Sequence, residues 1–212
     1  LAQHADECSV KEIAEHFNLP NSHVCRLLKT LAESDYAIQT PGSRKYRISL
    51  KILTLSHARL QKLQLRIIAR PYIQNLVNIL KRPVFLTSSW SGKSLIIDVQ
   101  YPDAFSGDAG LSIGMLHSVN RSACGKVCAA YIQDSVLLDK LISQCDWEKR
   151  TESSQTDPEL FKKELEKIRA EKFALMAGEA CVGSGGAGSP IFSSSGEMIA
   201  AVGAVLPPDE KT

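Results

Sequence analysis

Apolar residues recur at helical spacing in two short segments near the start of the chain. In "SVKEIAEHF" the residues Val10, Ile13, Ala14 and Phe17 share one stripe. In "PNSHVCRLLKTL" Val24, Leu27, Leu28 and Leu31 fall on one side of a helix, with Ser22, Arg26, Lys29 and Thr30 on the other. Ser9 followed by Glu12 forms a capping box for the first helix. "NLPN" closes it: Asn18 suits a left-handed C-cap, Pro20 cannot continue the helix, and Asn21 or Ser22 can cap the next one. Two capped helices joined by a tight turn have the outline of a helix-turn-helix.

The pattern then changes period. Tyr36 to Thr40 and Lys45 to Ser49 read as short strands about the turn "TPGS". From Leu50 to about Ile68 the chain returns to helix, with Ser49 as N-cap and Leu53, Leu60 and Ile67 recurring at sevens beside Leu63. That stripe fits either packing on its own domain or a self-association seam. Arg70 and Pro71 mark a restart, Pro71 opening the helix "PYIQNLVNILK". "PVFLTSSW" and "KSLIIDVQY" read as a hairpin, helices follow at about 122–132, 135–143 and 157–172, and "SPIFSSSGEMIAAVGAV" returns to two strands. The expectation is an α+β chain of three parts: a winged helix-turn-helix over 1–49, a linker helix over 50–70, and an antiparallel sheet with packed helices over 71–212.

Composition adds little until charge is placed along the chain. Apolar residues make up 44% and charged residues 23%, ordinary globular values, and no apolar run reaches the length of a membrane span. No signal pattern is present, and the expected location is the cytoplasm. The net charge of +2 hides an acid-free block. Between Asp35 and Asp98 no acidic residue interrupts Arg44, Lys45, Arg47, Lys51, Arg59, Lys62, Arg66, Arg70, Lys81, Arg82 and Lys93. A solvated surface would also explain it, but beside a helix-turn-helix such a block points to double-stranded DNA. Ser22, His23 and Arg26 lie where a recognition helix meets base edges, Lys29 a turn further on suits the phosphate backbone, and Arg44 and Lys45 near the hairpin tip suit flanking phosphates.

"SVKEIAEHFNLPNSHVCRLLKTLAESDYAIQ", with "KYRIS" and the long helix after it, resembles the DNA-binding half of IclR-type bacterial transcriptional regulators. The resemblance extends over nearly the whole chain. It implies a winged helix-turn-helix joined by a linker helix to a GAF-like effector domain, a homodimer or tetramer, a near-palindromic operator, control of catabolic genes and no cofactor. It also implies a further helix before residue 1 and another after "VLPPDEKT". "VNRSACGKVCAAY" is similar to the family's Leu-His-x-Thr-Ala-x-Gly-Lys-Ala pattern at the effector pocket, with Asn120 in place of histidine and Ser122, Ala123, Gly125 and Lys126 matching. Residues alone allow either an anion site or an ordinary cap at that helix start. "GSGGAGSPIFSSSGEMIAAVGAV" is similar to the closing pocket strands, with Met176 and Gly186 standing where some relatives carry acidic and thiol groups. Asn120, Ser122, Ala123, Met176, Gly185 and Gly186 are therefore the candidate effector residues, and the effector is expected to be a small organic acid, with a larger or aromatic one as the hypothesis.

Other readings remain open. Gly183, Gly185 and Gly188 satisfy GxGxxG, but a dinucleotide site needs a helix directly after it and Pro190 with a strand follows. Cys124 and Cys128 sit four apart, yet no Cys/His pair at finger spacing completes a metal set. Cys124 at a helix start could serve as an enzyme's nucleophile, with His117 the only histidine of the second half. A non-catalytic interaction module with a basic front is the third class; it lacks an aromatic platform for single-stranded RNA.

Overall fold

The computed structural model describes residues 7–106 and 109–207. Contacts divide the chain into two units, Leu1–Leu63 and Gln64–Thr212.

In the first unit β1 (Cys8–Ser9) leads into α1 (Val10–Phe17) and α2 (Asn21–Glu33), followed by β2 (Ala37–Gln39), β3 (Lys45–Ile48) and α3 (Lys51–Gln61). The capping box forms as expected: Ser9 N–H donates to Glu12 Oε2 at 2.7 Å and Glu12 N–H to Ser9 Oγ at 3.2 Å. Asn18 takes the left-handed conformation, φ 52°. The second helix is capped differently from the expectation. Pro20 occupies its N-cap position and neither Asn21 nor Ser22 supplies a side-chain cap, because both already lie at or inside the first helical residues. The three strands run in the order β1-β3-β2, all antiparallel, and β1 was not legible as a strand. Ala14, Val24, Leu28, Ala37 and Tyr46 form the core. Part of each apolar stripe stays outside it: Phe17 of α1 is 63% exposed, and Leu27 and Leu31 of α2 are 49% and 41% exposed, since α1 and the sheet cover only the Val24–Leu28 arc of α2.

Two boundaries of the linker region differ from expectation. Leu50 is the N-cap of α3, with Ser49 Oγ accepting from Lys51 N–H at 3.2 Å from one residue further back. The helix then breaks at Lys62 and Leu63, and α4 (Gln64–Leu80) runs through Pro71 instead of starting there. A helix tolerates an interior proline when packing repays the lost N–H bond; Ile73 and Val77, 2% and 1% exposed, anchor this one.

The second unit is built on a six-stranded antiparallel sheet in the order β6-β5-β4-β9-β8-β7. Its strands are β4 (Val84–Trp90), β5 (Lys93–Gln100), β6 (Leu116–His117), β7 (Ala174–Ala177), β8 (Gly185–Phe192) and β9 (Met198–Val205). Ser91 and Gly92, both with positive φ, make the two-residue β4–β5 turn. β4 and β5 are buried on both faces. Phe85 and Ile96 join the core under α5 (Ala123–Ala130) and α7 (Pro158–Glu171), while Val84 lies beside Leu76 and Leu80 of α4. α6 (Ser135–Ser143) adds Ile142 to the core beneath α5 and α7.

Candidate functional site

The exposed side of α2 carries the residues expected to meet DNA. Val24 and Leu28 are buried, and Ser22, His23, Arg26 and Lys29 are all exposed. Burying that pair of side chains stabilises the helix by about 1.5–3 kcal/mol each, enough to hold the polar edge in a fixed orientation. Lys29 makes only an exposed 3.9 Å contact with Glu33, and no side-chain partner of Arg26 occurs among the described residues. At the hairpin tip Thr40 N–H donates to Lys45 C=O at 2.9 Å, and Gly42 takes φ +76°, which leaves Arg44 and Lys45 exposed.

In the second unit a cavity of about 500 Å³ opens between the start of α5, the edge strands and the segment from Ala180 to Gly186. Five of the six expected effector residues line it: Ser122, Ala123, Met176, Gly185 and Gly186. Phe85, Leu111, Met115, Leu116, Val205 and Leu206 make most of the remaining wall apolar. Ser122 caps α5, accepting from Gly125 N–H at 3.0 Å and donating to Ser118 C=O at 2.6 Å. Its proton is therefore committed within the protein. Only glycine fits at 125, where a Cβ would lie 2.0 Å from the Ser118 oxygen.

Asn120 does not line the cavity. It is 1% exposed, donates to Asp146 C=O at 2.8 Å and accepts from Ser118 Oγ at 3.0 Å, so it braces the loop before α5. Its neighbour Arg121 does line the cavity, as does His117, and neither was singled out as a ligand residue. Arg121 is 4% exposed; Nη1 contacts Asp146 Oδ2 at 2.6 Å and Nη2 donates to Glu148 C=O. The Glu148 N–H and this guanidinium hold the Asp146 carboxyl down at about 2. Arg150 shares the same carboxylate oxygen at 2.6 Å. His117 stacks edge-on against Phe85, ring centroids 5.1 Å apart, and burial pushes its pKa down, which favours the neutral ring.

Behind the cavity Lys126 is 1% exposed and sits between Glu164 at 2.7 Å and Glu179 at 2.6 Å. This charged trio ties the segment beside the cavity to α5 and α7. Burial is the main influence on Glu179 and raises its pKa, partly offset by Lys126.

The competing chemistries find no support in the geometry. Cys124 is 1% exposed and its thiol is pushed up, first by burial and then by the neighbouring Cys128. Cys128 is pushed up to about 11, again mainly by burial. These are packed thiols, in the environment of an inert side chain. Among the described residues no group of three or more His, Cys, Asp or Glu is placed to hold a metal. Two glycines of "GSGGAG" serve close packing, a Cβ on Gly185 meeting Leu206 O at 2.5 Å and one on Gly188 the start of α5 at 3.0 Å, whereas Gly183 takes φ +84° in open space. Gly185, Gly186 and Gly188 lie within β8 itself, where a dinucleotide site needs a helix directly after the glycines.

The sequence matches the IclR helix-turn-helix domain over residues 1–41 and the bacterial transcriptional regulator IclR C-terminal family over residues 57–210. It is 26% identical over 194 residues to the Pca regulon regulatory protein of Pseudomonas putida, spanning 92% of this chain and 66% of that one. The fold is similar to an IclR family transcriptional regulator from Brucella abortus, with TM-score 0.78, 21% identity and coverage of 97% and 78% of the two chains. It is similar also to an IclR homolog from Microbacterium hydrocarbonoxydans complexed with 4-hydroxybenzoate, with TM-score 0.70, 18% identity and coverage of 98% and 84%. With both halves of the sequence matched to the family's two domains, the chain belongs to the IclR family of bacterial transcriptional regulators.

Proposed function

We propose that the chain is a ligand-responsive regulator that reads duplex DNA with Ser22, His23 and Arg26, grips phosphates with Lys29, Arg44 and Lys45, and takes a small organic acid into the α5 cavity. The observation that carries this reading is the split of α2 into a buried anchor, Val24 and Leu28, and an exposed cationic edge. The acid's carboxylate would meet the positive end of α5. The 4-hydroxybenzoate held by the Microbacterium relative favours an aromatic acid, and with it catabolic target genes. The protein would do no covalent chemistry; the effector acts by binding one assembly geometry better than another.

The assembly is a homodimer, or a tetramer built from one, acting in the cytoplasm on a near-palindromic operator. The support is α3, which buries none of its residues in its own unit while Ile52, Leu53 and Leu55 are exposed. A second copy of the same helix is the natural cover for such a stripe.

The test is anisotropy titration on an operator selected from genomic fragments and on random duplex. Arg26→Ala should weaken operator binding by about 1–3 kcal/mol, roughly five- to 150-fold, and leave random DNA unchanged. Arg44→Ala or Lys45→Ala should weaken both and lower the salt slope by about 0.9. An operator preference that survives Arg26→Ala rules the reading out.

A further inference from the structure

α3 buries none of its residues in the first unit, so packing does little to set its direction. What meets its first residue is the end of α2. Asp35 takes φ 61°, its N–H donates to Ala32 C=O at 3.0 Å, and Tyr36 N–H reaches back to Leu31 C=O at 2.8 Å, which closes α2 as a Schellman motif. That turn brings three successive residues round to one point, and Lys51 occupies it. Lys51 Nζ donates to Ser34 C=O at 2.9 Å, lies 3.5 Å from Asp35 Oδ2 and sits 5.1 Å from the centre of the Tyr36 ring. Ser34 is the C-cap of α2, so the ammonium stands at the negative end of that helix's dipole. Each contact is weak alone, because the Lys51 side chain is 42% and the Asp35 side chain 80% exposed. A carbonyl, a carboxylate and a ring face approached together leave one geometry that satisfies all of them. The backbone adds a bond at the same corner, from Ser49 N–H to Tyr36 C=O at 3.0 Å.

We propose that Lys51 is a positioning residue: it fixes the angle between α3 and the recognition helix, so that two copies joined along α3 hold their α2 helices at one half-site separation. The mechanical path is short. Val24 and Leu28 seat α2 in its unit, the turn at Asp35 carries the end of α2 to Lys51, and Lys51 opens the helix whose exposed Leu53 is free for the partner copy. Successive base pairs are offset by about 3.4 Å and roughly 35°, so a half-site moved by one pair is presented on a different side of the duplex. A fixed angle between α2 and α3 cannot follow that rotation, and a loose one can. The Lys51 ammonium is engaged by its own fold rather than offered to a phosphate, which separates its role from that of Lys29, Arg44 and Lys45.

This inference rests on the DNA and α3-dimer readings proposed above. Its test is anisotropy titration of the full chain on duplexes carrying two selected half-sites, at the selected spacing and with one base pair inserted or removed, beside a single half-site. Wild type should lose at least about tenfold in affinity on a one-pair change, and Lys51→Met should cut that penalty to under about threefold. Binding of Lys51→Met to the single half-site, and its salt slope, should match wild type. Lys51→Arg, which can donate to the same carbonyl and carboxylate, should restore the sharp spacing profile. Should Lys51→Met fail to fold, Asp35→Gly, which keeps the left-handed turn and removes one arm of the clamp, should lower the penalty in the same direction. A variant profile as sharp as wild type overturns the proposal. So does uniform weakening at every spacing with a salt slope lower by about 0.9, the mark of a lost phosphate contact. A wild type with no spacing preference refutes the α3 dimer and this inference with it, and a wild type that binds no duplex refutes DNA recognition itself.

Discussion

Replacing Lys126 by methionine removes the one cation of a buried charged trio while keeping most of its volume. The Lys126 ammonium lies 2.7 Å from Glu164 and 2.6 Å from Glu179, with the lysine 1% exposed and the glutamate side chains 29% and 13% exposed. At an effective dielectric near 20, each contact is worth roughly 6 kcal/mol before desolvation. Burying the ammonium costs several kcal/mol, so the wild-type trio gains little net; removing one partner strands the others and typically costs about 3–5 kcal/mol. For a domain of this size that lowers the melting temperature by roughly 6–20 °C. The pH dependence supplies a second check. Burial already raises the pKa of Glu179, and Lys126 partly offsets it. Without the lysine the folded-state pKa rises further above the unfolded value. A group shifted in that direction gives its full stability below the unfolded pKa and loses it as pH rises through the folded one. The deficit of Lys126→Met should therefore be largest at pH 7.5 and shrink toward pH 5. Scanning calorimetry of both proteins at the two values reads it directly. A deficit under about 2 °C at pH 7.5, or one that grows on acidification, refutes the reasoning.

Two further outcomes follow from exposure. Native thiol labelling should modify Cys25 and Cys181, which are exposed, well before Cys124 and Cys128, which are buried; rapid labelling mapped to Cys124 by mass spectrometry would contradict the packed-thiol assignment. Leu53→Lys places a charge on the uncovered stripe of α3, where Leu53 is 59% exposed, and should shift the sedimentation equilibrium toward monomer with little change in melting of the isolated fold; an unchanged dimer constant means the seam lies elsewhere.

Features set by near neighbours were readable before the fold was known. The Ser9–Glu12 capping box, the left-handed Asn18, the hairpin about Gly42 and the cap at Ser122 each depend on a few adjacent residues, and each is present. What depends on distant partners was not. The helix break falls at Lys62 and Leu63, neither of them a helix breaker, while Pro71, the visible breaker, is carried inside α4 by the burial of Ile73 and Val77. The two-residue strands β1 and β6 are too short to show a period, and β9 takes its place between β4 and β8 through pairings no local pattern announces. The site followed the same division. Ala123, Gly185 and Gly186, expected from motif position, line the cavity, whereas Asn120 faces a carbonyl 26 residues away. Arg121 carries no motif signal of its own, and the sequence weighs His117 only beside a Cys124 nucleophile; that both line the cavity depends on neighbours distant in the chain.

The position of β9 has a cost during synthesis. Thr87 Oγ1 bonds the carbonyl of Ala201, 114 residues later in the chain. At bacterial elongation rates of about 5–20 residues per second, β4 waits roughly 6 to 23 s on the ribosome with its Val84–Thr87 edge open. That interval exposes a flat, apolar flank able to recruit any nascent strand nearby. Holdase capture of stalled translation intermediates should accordingly peak on chains that end between the β4–β5 hairpin and Met198, and vanish once β9 has emerged.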